Sequence, residues 1–280
     1  MFNKSINNIR RMVLIIVVVF CFSSLTACSG KKTGDSKNNI KPSSENKMKI
    51  SWQQPVKKND YTIIPGYAKA DFGRFEFRWI IKPGGVSKLI TLEPSGSSEL
   101  PLVEKKVLPL VLSDGNTLLF QERPSLLNEK KPLRICAITS VSTLDLFSVF
   151  PVVKLPPSCI ISKTSNHIKW DNVFSKNGVK YLQGYTKSSF GSLNLLWKKE
   201  GSRNPELVVV ESPGAGELPA VETKLLPWID EASGLTVICQ ERFPQLNQGY
   251  CSYLWCLTTV KTSELLWGFN LINSMDSENK

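Results

Sequence analysis

The chain has 280 residues and a formal net charge of +11, with 35 basic side chains, 24 acidic side chains and one histidine. This length allows more than one domain core. The basic residues do not form the arginine-rich cluster, interleaved with aromatic residues, that marks nucleic-acid-binding proteins. Cysteine and histidine residues do not recur at metal-ligand spacing. We therefore expect no nucleic-acid partner, no metal and no cofactor.

The N-terminus has the parts of a secretory signal. Lys4, Arg10 and Arg11 precede an apolar run, Met12–Phe22. This run has 11 residues, whereas a helix needs about 20 to span a bilayer. A basic start followed by a short apolar segment is typical of a cleaved signal peptide, which we place at residues 1–27.

The signal ends in Leu25-Thr26-Ala27-Cys28. This tetrapeptide resembles the lipobox of bacterial lipoproteins. The resemblance implies cleavage before Cys28 and a diacylglycerol on the Cys28 thiol. An ordinary cleaved signal, with Cys28 in a disulfide, is the alternative. Ser29 follows, and by analogy with the family the absence of an acidic residue there favours the periplasmic face of the outer membrane. The inner membrane and the cell surface stay open.

Residues 28–47 are rich in Lys, Ser, Asn and Gly and contain no aromatic residue. Such a segment cannot bury enough apolar surface to offset the entropy of ordering, so we expect the lipid anchor to be followed by a flexible tether.

The rest of the chain is a duplication. Ile50-Ser51-Trp52 matches Ile168-Lys169-Trp170, and Glu99-Leu100-Pro101 matches Glu217-Leu218-Pro219, both at an offset of 118 residues. Later in the chain the offset becomes 119, where Gln121-Glu122-Arg123 matches Gln240-Glu241-Arg242. A constant register over so many positions indicates two copies of one unit. We place them at residues 48–157 and 166–275.

Each copy has the pattern of β-strands. From Arg74 to Lys82, polar residues alternate with Phe75, Phe77, Trp79 and Ile81, the period of a half-buried strand. Turn signals separate the later stretches. We predict an all-β chain of two tandem, sequence-related β-sandwich or small-barrel domains, with no amphipathic helix. The further strands predicted in the first copy are Lys88–Glu93, Leu102–Leu112, Thr117–Glu122, Leu133–Val141 and Leu144–Phe150.

The mature chain keeps five cysteines besides Cys28: Cys136, Cys159, Cys239, Cys251 and Cys256. Export permits disulfides, and an odd number leaves at least one thiol unpaired within the chain. The pairing we expect is Cys239 with Cys251. Alternatively, most of these cysteines are small core residues.

Catalytic candidates are few, and we predict no catalytic residue. His167, the only histidine, lies at the joint between the copies with no nucleophile motif nearby. The carboxylates that recur in both copies could act in pairs on a glycosidic bond, but the duplication favours a structural role for them. They are Glu93/Glu211, Glu99/Glu217, Glu104/Glu222 and Glu122/Glu241.

The second copy has four aromatic residues at positions where the first copy has other residues. It has Trp228 in place of Leu110, Tyr253 in place of Arg134, Trp255 in place of Cys136 and Trp267 in place of Ser148. These aromatic residues could be extra core, the contact between the domains or a binding patch, since aromatic residues are enriched at binding hot spots.

The leading hypothesis is a non-enzymatic, membrane-anchored lipoprotein of the periplasm that binds a protein partner. Its most specific version is an immunity or inhibitor protein directed against a toxin or a lytic enzyme. The alternatives are an envelope enzyme acting on cell-wall glycan and a structural lipoprotein of envelope assembly.

Overall fold

The computed structural model describes residues 48–70, 73–93, 103–123, 132–151, 155–211, 221–244 and 251–275. The signal peptide, Cys28 and the tether lie outside these residues. All described residues belong to one compact unit, Asn46–Lys280. Within them, no helix has the length and apolarity needed to cross a bilayer.

Each copy folds as one antiparallel sheet in which strands consecutive in the chain are neighbours, except that β1 and β2 both pair with β3. The strands of the first sheet are β1 (Ile50–Trp52), β2 (Val56–Lys58), β3 (Tyr61–Ala70), β4 (Gly73–Ile81), β5 (Lys88–Glu93), β6 (Val103–Val111), β7 (Asn116–Arg123) and β8 (Arg134–Ser142). Those of the second sheet are β9 (Lys169–Lys176), β10 (Val179–Ser188), β11 (Gly191–Glu200), β12 (Glu206–Glu211), β13 (Val221–Asp230), β14 (Leu235–Arg242) and β15 (Tyr253–Lys261). The expected all-β fold of two tandem, sequence-related units is confirmed.

The alternating pattern places one face of each sheet in a core of its own. Phe77 and Trp79 on β4 are fully buried, and so are their counterparts Leu195 and Trp197 on β11. Cross-strand neighbours on the same face, such as Ile64 opposite Trp79, complete the first of these cores.

A helix follows the last strand of each copy and packs on the buried face of its sheet. They are α1 (Thr143–Phe147) and α2 (Thr262–Ser274). Our prediction of a strand at Leu144–Phe150 and of no amphipathic helix was therefore wrong. Ser142 caps α1, since its hydroxyl accepts from the backbone N–H of Asp145 at 3.5 Å. The buried residues of α2 are Leu265, Gly268, Phe269 and Ile272, which is the spacing of one helix face.

A Trp–Gly contact repeated in both copies joins the first strand to this helix. The indole N–H of Trp52 donates to the carbonyl of Asp145 at 2.8 Å, and that of Trp170 to the carbonyl of Glu264 at 2.9 Å. The ring of each tryptophan lies against the glycine opposite it on the paired strand, Gly66 or Gly184. A Cβ at either glycine would overlap the six-membered ring.

We expect Gly66→Ala and Gly184→Ala each to lower the free energy of unfolding by about 1–3 kcal/mol, because the added methyl group displaces the tryptophan that ties strand to helix. Urea denaturation of the soluble chain, residues 29–280, measures this loss. Gly85→Ala is the matched control, since its Cβ would meet only ordinary contacts at 3.5 Å. A control loss as large as that of Gly66→Ala would contradict the account.

Candidate functional site

The two sheets pack on each other through a third apolar cluster, which we call the shared core. Strand β8 lies against β13, and β6 lies against β15. Since β13 is the counterpart of β6 and β15 the counterpart of β8, these two contacts are equivalent, as in a two-fold symmetric dimer. The buried residues of the shared core are Leu108, Leu110, Phe120, Ile135, Cys159, Leu226, Val237, Cys239, Leu254 and Cys256.

Two ion pairs across this contact repeat the same symmetry. Lys106 pairs with Glu241, and the Nζ of Lys224 lies 2.8 Å from the Oε1 of Glu122. Lys224 is the counterpart of Lys106, and Glu241 that of Glu122. The glutamate of each Gln-Glu-Arg motif therefore binds the lysine of the other copy. Because the pairs are partly exposed, each adds at most about 1 kcal/mol, and they act mainly on how the two sheets align.

The remaining recurrent carboxylates that the structure describes are also paired or exposed. Glu222 accepts from Lys198 at 2.6 Å, whereas Glu104 is exposed. Glu211 accepts from Gln240 and from Arg242, each at 3.1 Å. Glu99, Glu217 and the side chain of Glu93 lie outside the described residues.

His167 contacts the first turn of α2. Its Nδ1 lies 2.7 Å from Glu264 Oε1, and the other oxygen of that carboxylate accepts from the backbone N–H of Ile168 at 2.8 Å. Burial acts to raise the pKa of Glu264, but these two hydrogen bonds outweigh it, and the pKa is lowered. This contact attaches the start of the second copy to its helix.

Cys239 and Cys251, which we expected to form a disulfide, are both free thiols. Cys239 lies in the shared core, whereas Cys251 lies in the core of the first copy. A stretch of the second copy thus reaches into the first. Cys159 and Cys256 lie with Cys239, and the backbone N–H of Cys256 donates to the Sγ of Cys159 at 3.0 Å.

The soluble chain should contain five free thiols, of which the partly exposed Cys136 reacts first. Burial raises the pKa of Cys256 to about 12, and also raises those of Cys239 and Cys251. These groups are therefore protonated and unreactive at about pH 8 in the folded state. Titration with a thiol reagent measures the number of reactive thiols in the folded chain. The same titration after unfolding without reductant measures the total number of free thiols.

Cys136→Ser should remove the fast reaction with the thiol reagent and leave the slow reaction of the buried thiols. A total of three thiols after unfolding would show a disulfide and contradict this assignment.

The four aromatic residues that distinguish the second copy do not form one patch. Trp228 packs on the shared core, edge to face with Phe120 at 5.1 Å between ring centroids. Trp267 is on α2 and is 54% exposed. Tyr253 and Trp255 lie together on β15, the last strand of its sheet.

Tyr253 and Trp255 alternate along β15 with Leu254 and Cys256 of the shared core, and the partly buried Trp255 packs against both the core of the second copy and the shared core. The register places Arg242 beside Tyr253. The ring of Phe190, which is 66% exposed, lies 5.7 Å from that of Trp255. We call Phe190, Arg242, Tyr253 and Trp255 the aromatic edge.

The carboxylate of Glu211, on β12, accepts hydrogen bonds from Gln240 and Arg242 of β14 and holds these two side chains in position. The Oε1 of Gln240 is buried and has no partner among the described residues. Partial burial raises the pKa of the Tyr253 phenol. The aromatic edge therefore presents a half-exposed phenol, an indole, a phenyl ring and a guanidinium held in a fixed position, which suits contact with a protein surface.

Sequence reasoning found Tyr253 and Trp255 but missed Phe190 and Arg242. Phe190 belongs to a Phe-Gly pair that recurs in both copies, at Phe72-Gly73 and Phe190-Gly191, and such a recurrence indicates a shared structural element rather than a binding residue. Arg242 belongs to the Gln-Glu-Arg motif, whose glutamate and arginine point to opposite faces of the strand. The pairing of β14 with β15 is needed to bring Arg242 to Tyr253.

No protein-family model, no curated protein and no solved structure matches this chain.

Proposed function

We propose that the chain is a lipid-anchored, non-enzymatic protein of the bacterial envelope that binds a protein partner. Cys28 is the anchor, and the site of action is the periplasmic face of the outer membrane. In the most specific version the partner is a toxin or a lytic enzyme, and the chain is its immunity or inhibitor protein.

The observation that carries this proposal is the aromatic edge. Tryptophan, tyrosine and arginine are the residue types most enriched among binding hot spots, and three of the four residues of the aromatic edge are of these types. The first copy has Cys136 and Arg134 where the second has Trp255 and Tyr253. The Tyr253 and Trp255 side chains are therefore particular to one copy and are not required by the fold that both copies share.

The contacts of the recurrent glutamates favour a binding function over the hydrolysis of a glycan. A glycosidase needs one carboxyl group that stays protonated and a second one facing it. Glu122, Glu211 and Glu241 instead each have a lysine or an arginine of the chain as partner. Two of these pairs join the two copies, so their positions are explained by the packing of the sheets.

Affinity capture from an envelope extract with the soluble chain, residues 29–280, tests the proposal. We expect one stoichiometric protein partner. Trp255→Ala should weaken its binding at least tenfold, because truncating an aromatic hot spot typically costs about 2 kcal/mol or more. Inhibition of the isolated partner at a 1:1 ratio would identify the immunity version.

Phe190→Ser and Phe174→Ser form a matched pair for this experiment. Both phenylalanines are exposed, at 66% and 46%, but Phe174 lies on β9 at the opposite end of the second sheet. Only Phe190→Ser should reduce capture. Equal capture by wild type, Trp255→Ala and Phe190→Ser, or turnover of purified glycan by the chain alone, would refute the proposal.

A further inference from the structure

The outer face of the first sheet, away from its own helix, is strongly basic over strands β1 to β6. Eight cations share this face by register, against the acidic Glu76 and Glu104, and one of the eight, Lys106, pairs with Glu241 of the second copy. The cations are Lys49, Lys58, Lys69, Arg74, Arg78, Lys82, Lys88 and Lys106. We call these ten residues the basic face.

The basic face contains an open groove of about 730 Å³ with an apolar floor. Ile63, Ile80 and Ile90 form the floor. Lys58, Lys82 and Lys88 stand at its rim, and within the part of the chain that the structure describes none of the three has a carboxylate partner. The Nζ of Lys82 lies 6.0 Å above the ring of Tyr61.

Three apolar side chains project to solvent beside these lysines. Val56 is 55% exposed, Tyr61 39% and Val86 42%. Val56 is paired with Ile63 and therefore continues the apolar floor, while Tyr61 and Val86 line the groove itself. Lysines around projecting apolar and tyrosine side chains are the composition of surfaces that lie in the headgroup region of a membrane.

The second copy lacks this combination at the equivalent positions. Glu200 and Glu206 replace Lys82 and Lys88, and Asn204 replaces Val86. Lys198 replaces Ile80 and pairs with Glu222 at 2.6 Å. Because the two sheets share a fold, the four side chains of the first copy that are replaced here are not needed to form it.

The basic face also begins where the predicted tether ends. Met48 packs against the core of the first copy, and Lys49, the next residue, lines the basic face. Residues 28–47 of the predicted tether carry a further five lysines against Asp35 and Glu45. In a chain held at a membrane through Cys28, the lysines of the tether and those of the basic face would be attracted to the same lipid surface.

We propose that the basic face docks on anionic lipid headgroups, with Val56, Tyr61 and Val86 entering the interface between them. The lysines attract the negatively charged surface, and the isoleucine floor accepts the apolar part of a lipid. Docking through the basic face uses the first copy only, so the aromatic edge of the second copy can bind the protein partner at the same time. This inference concerns a different surface from the proposed function.

Vesicle co-sedimentation of the soluble chain, which has no lipid anchor, tests the docking. We expect binding to vesicles of phosphatidylcholine with phosphatidylglycerol, little binding to phosphatidylcholine alone, and a steep fall with added salt because screening weakens the attraction. The variant Lys82→Glu with Lys88→Glu installs the residues of the second copy, and we expect it to lower the partition coefficient at least tenfold. Val86→Asn should lower it by a smaller factor.

The control is Lys176→Glu with Lys187→Glu, which makes the same charge change at the counterparts of Lys58 and Lys69 in the second copy. This control should keep most of the binding, and circular dichroism should show the same fold in all variants. An equal loss in the control, equal binding to neutral vesicles or no binding to either would overturn the proposal. Since no partner protein is present, the result does not depend on the proposed function.

Discussion

The arrangement of this protein depends on the burial of apolar side chains between its two sheets. Ten buried residues from both copies and from the segment between them form the shared core. Duplication has made the contact nearly symmetric, but the side chains that fill it differ. Phe120 packs on Trp228, and the equivalent positions on the other side of the pseudo-two-fold axis hold the smaller Cys239 and Leu110. A large pair on one side and a small pair on the other let the two copies diverge while the space between them stays filled.

This packing determines which surfaces are available for binding. The mutual contact of the sheets covers parts of strands β6 and β8 in the first and of β13 and β15 in the second. What stays exposed differs between the copies: a basic, apolar-floored groove on the first and the aromatic edge on the second. Each surface includes residues that the other copy lacks, such as Lys82 and Lys88 in the first and Tyr253 and Trp255 in the second. The fold is thus shared, whereas the two surfaces that we propose for binding, one for lipid and one for protein, lie on different copies.

The amino-acid pattern was sufficient to predict the features that recur in each copy. It was insufficient to predict contacts between parts of the chain that are distant in sequence. Alternation in Phe75, Phe77 and Trp79 predicted the strand and its buried face, because a strand's period of two is a local property. The helix at Thr262–Ser274 was missed although Leu265, Phe269 and Ile272 have helical spacing, since its short first-copy counterpart was interpreted as a strand. No pattern within one copy shows that Glu122 will meet Lys224, because that pair exists only after the sheets have packed. The same holds for Phe190 beside Trp255, which are distant in the chain.

Whether the burial of apolar side chains in the shared core holds the two copies together after the connecting chain is cut can be measured directly. A protease site placed at Pro157-Ser158, which is exposed between the copies, allows the folded soluble chain to be cut. Size-exclusion chromatography at micromolar concentration should then show the two halves eluting together at the volume of the uncut chain, and Phe120→Ala should weaken their association. Separate elution of the two halves under native conditions would contradict the account.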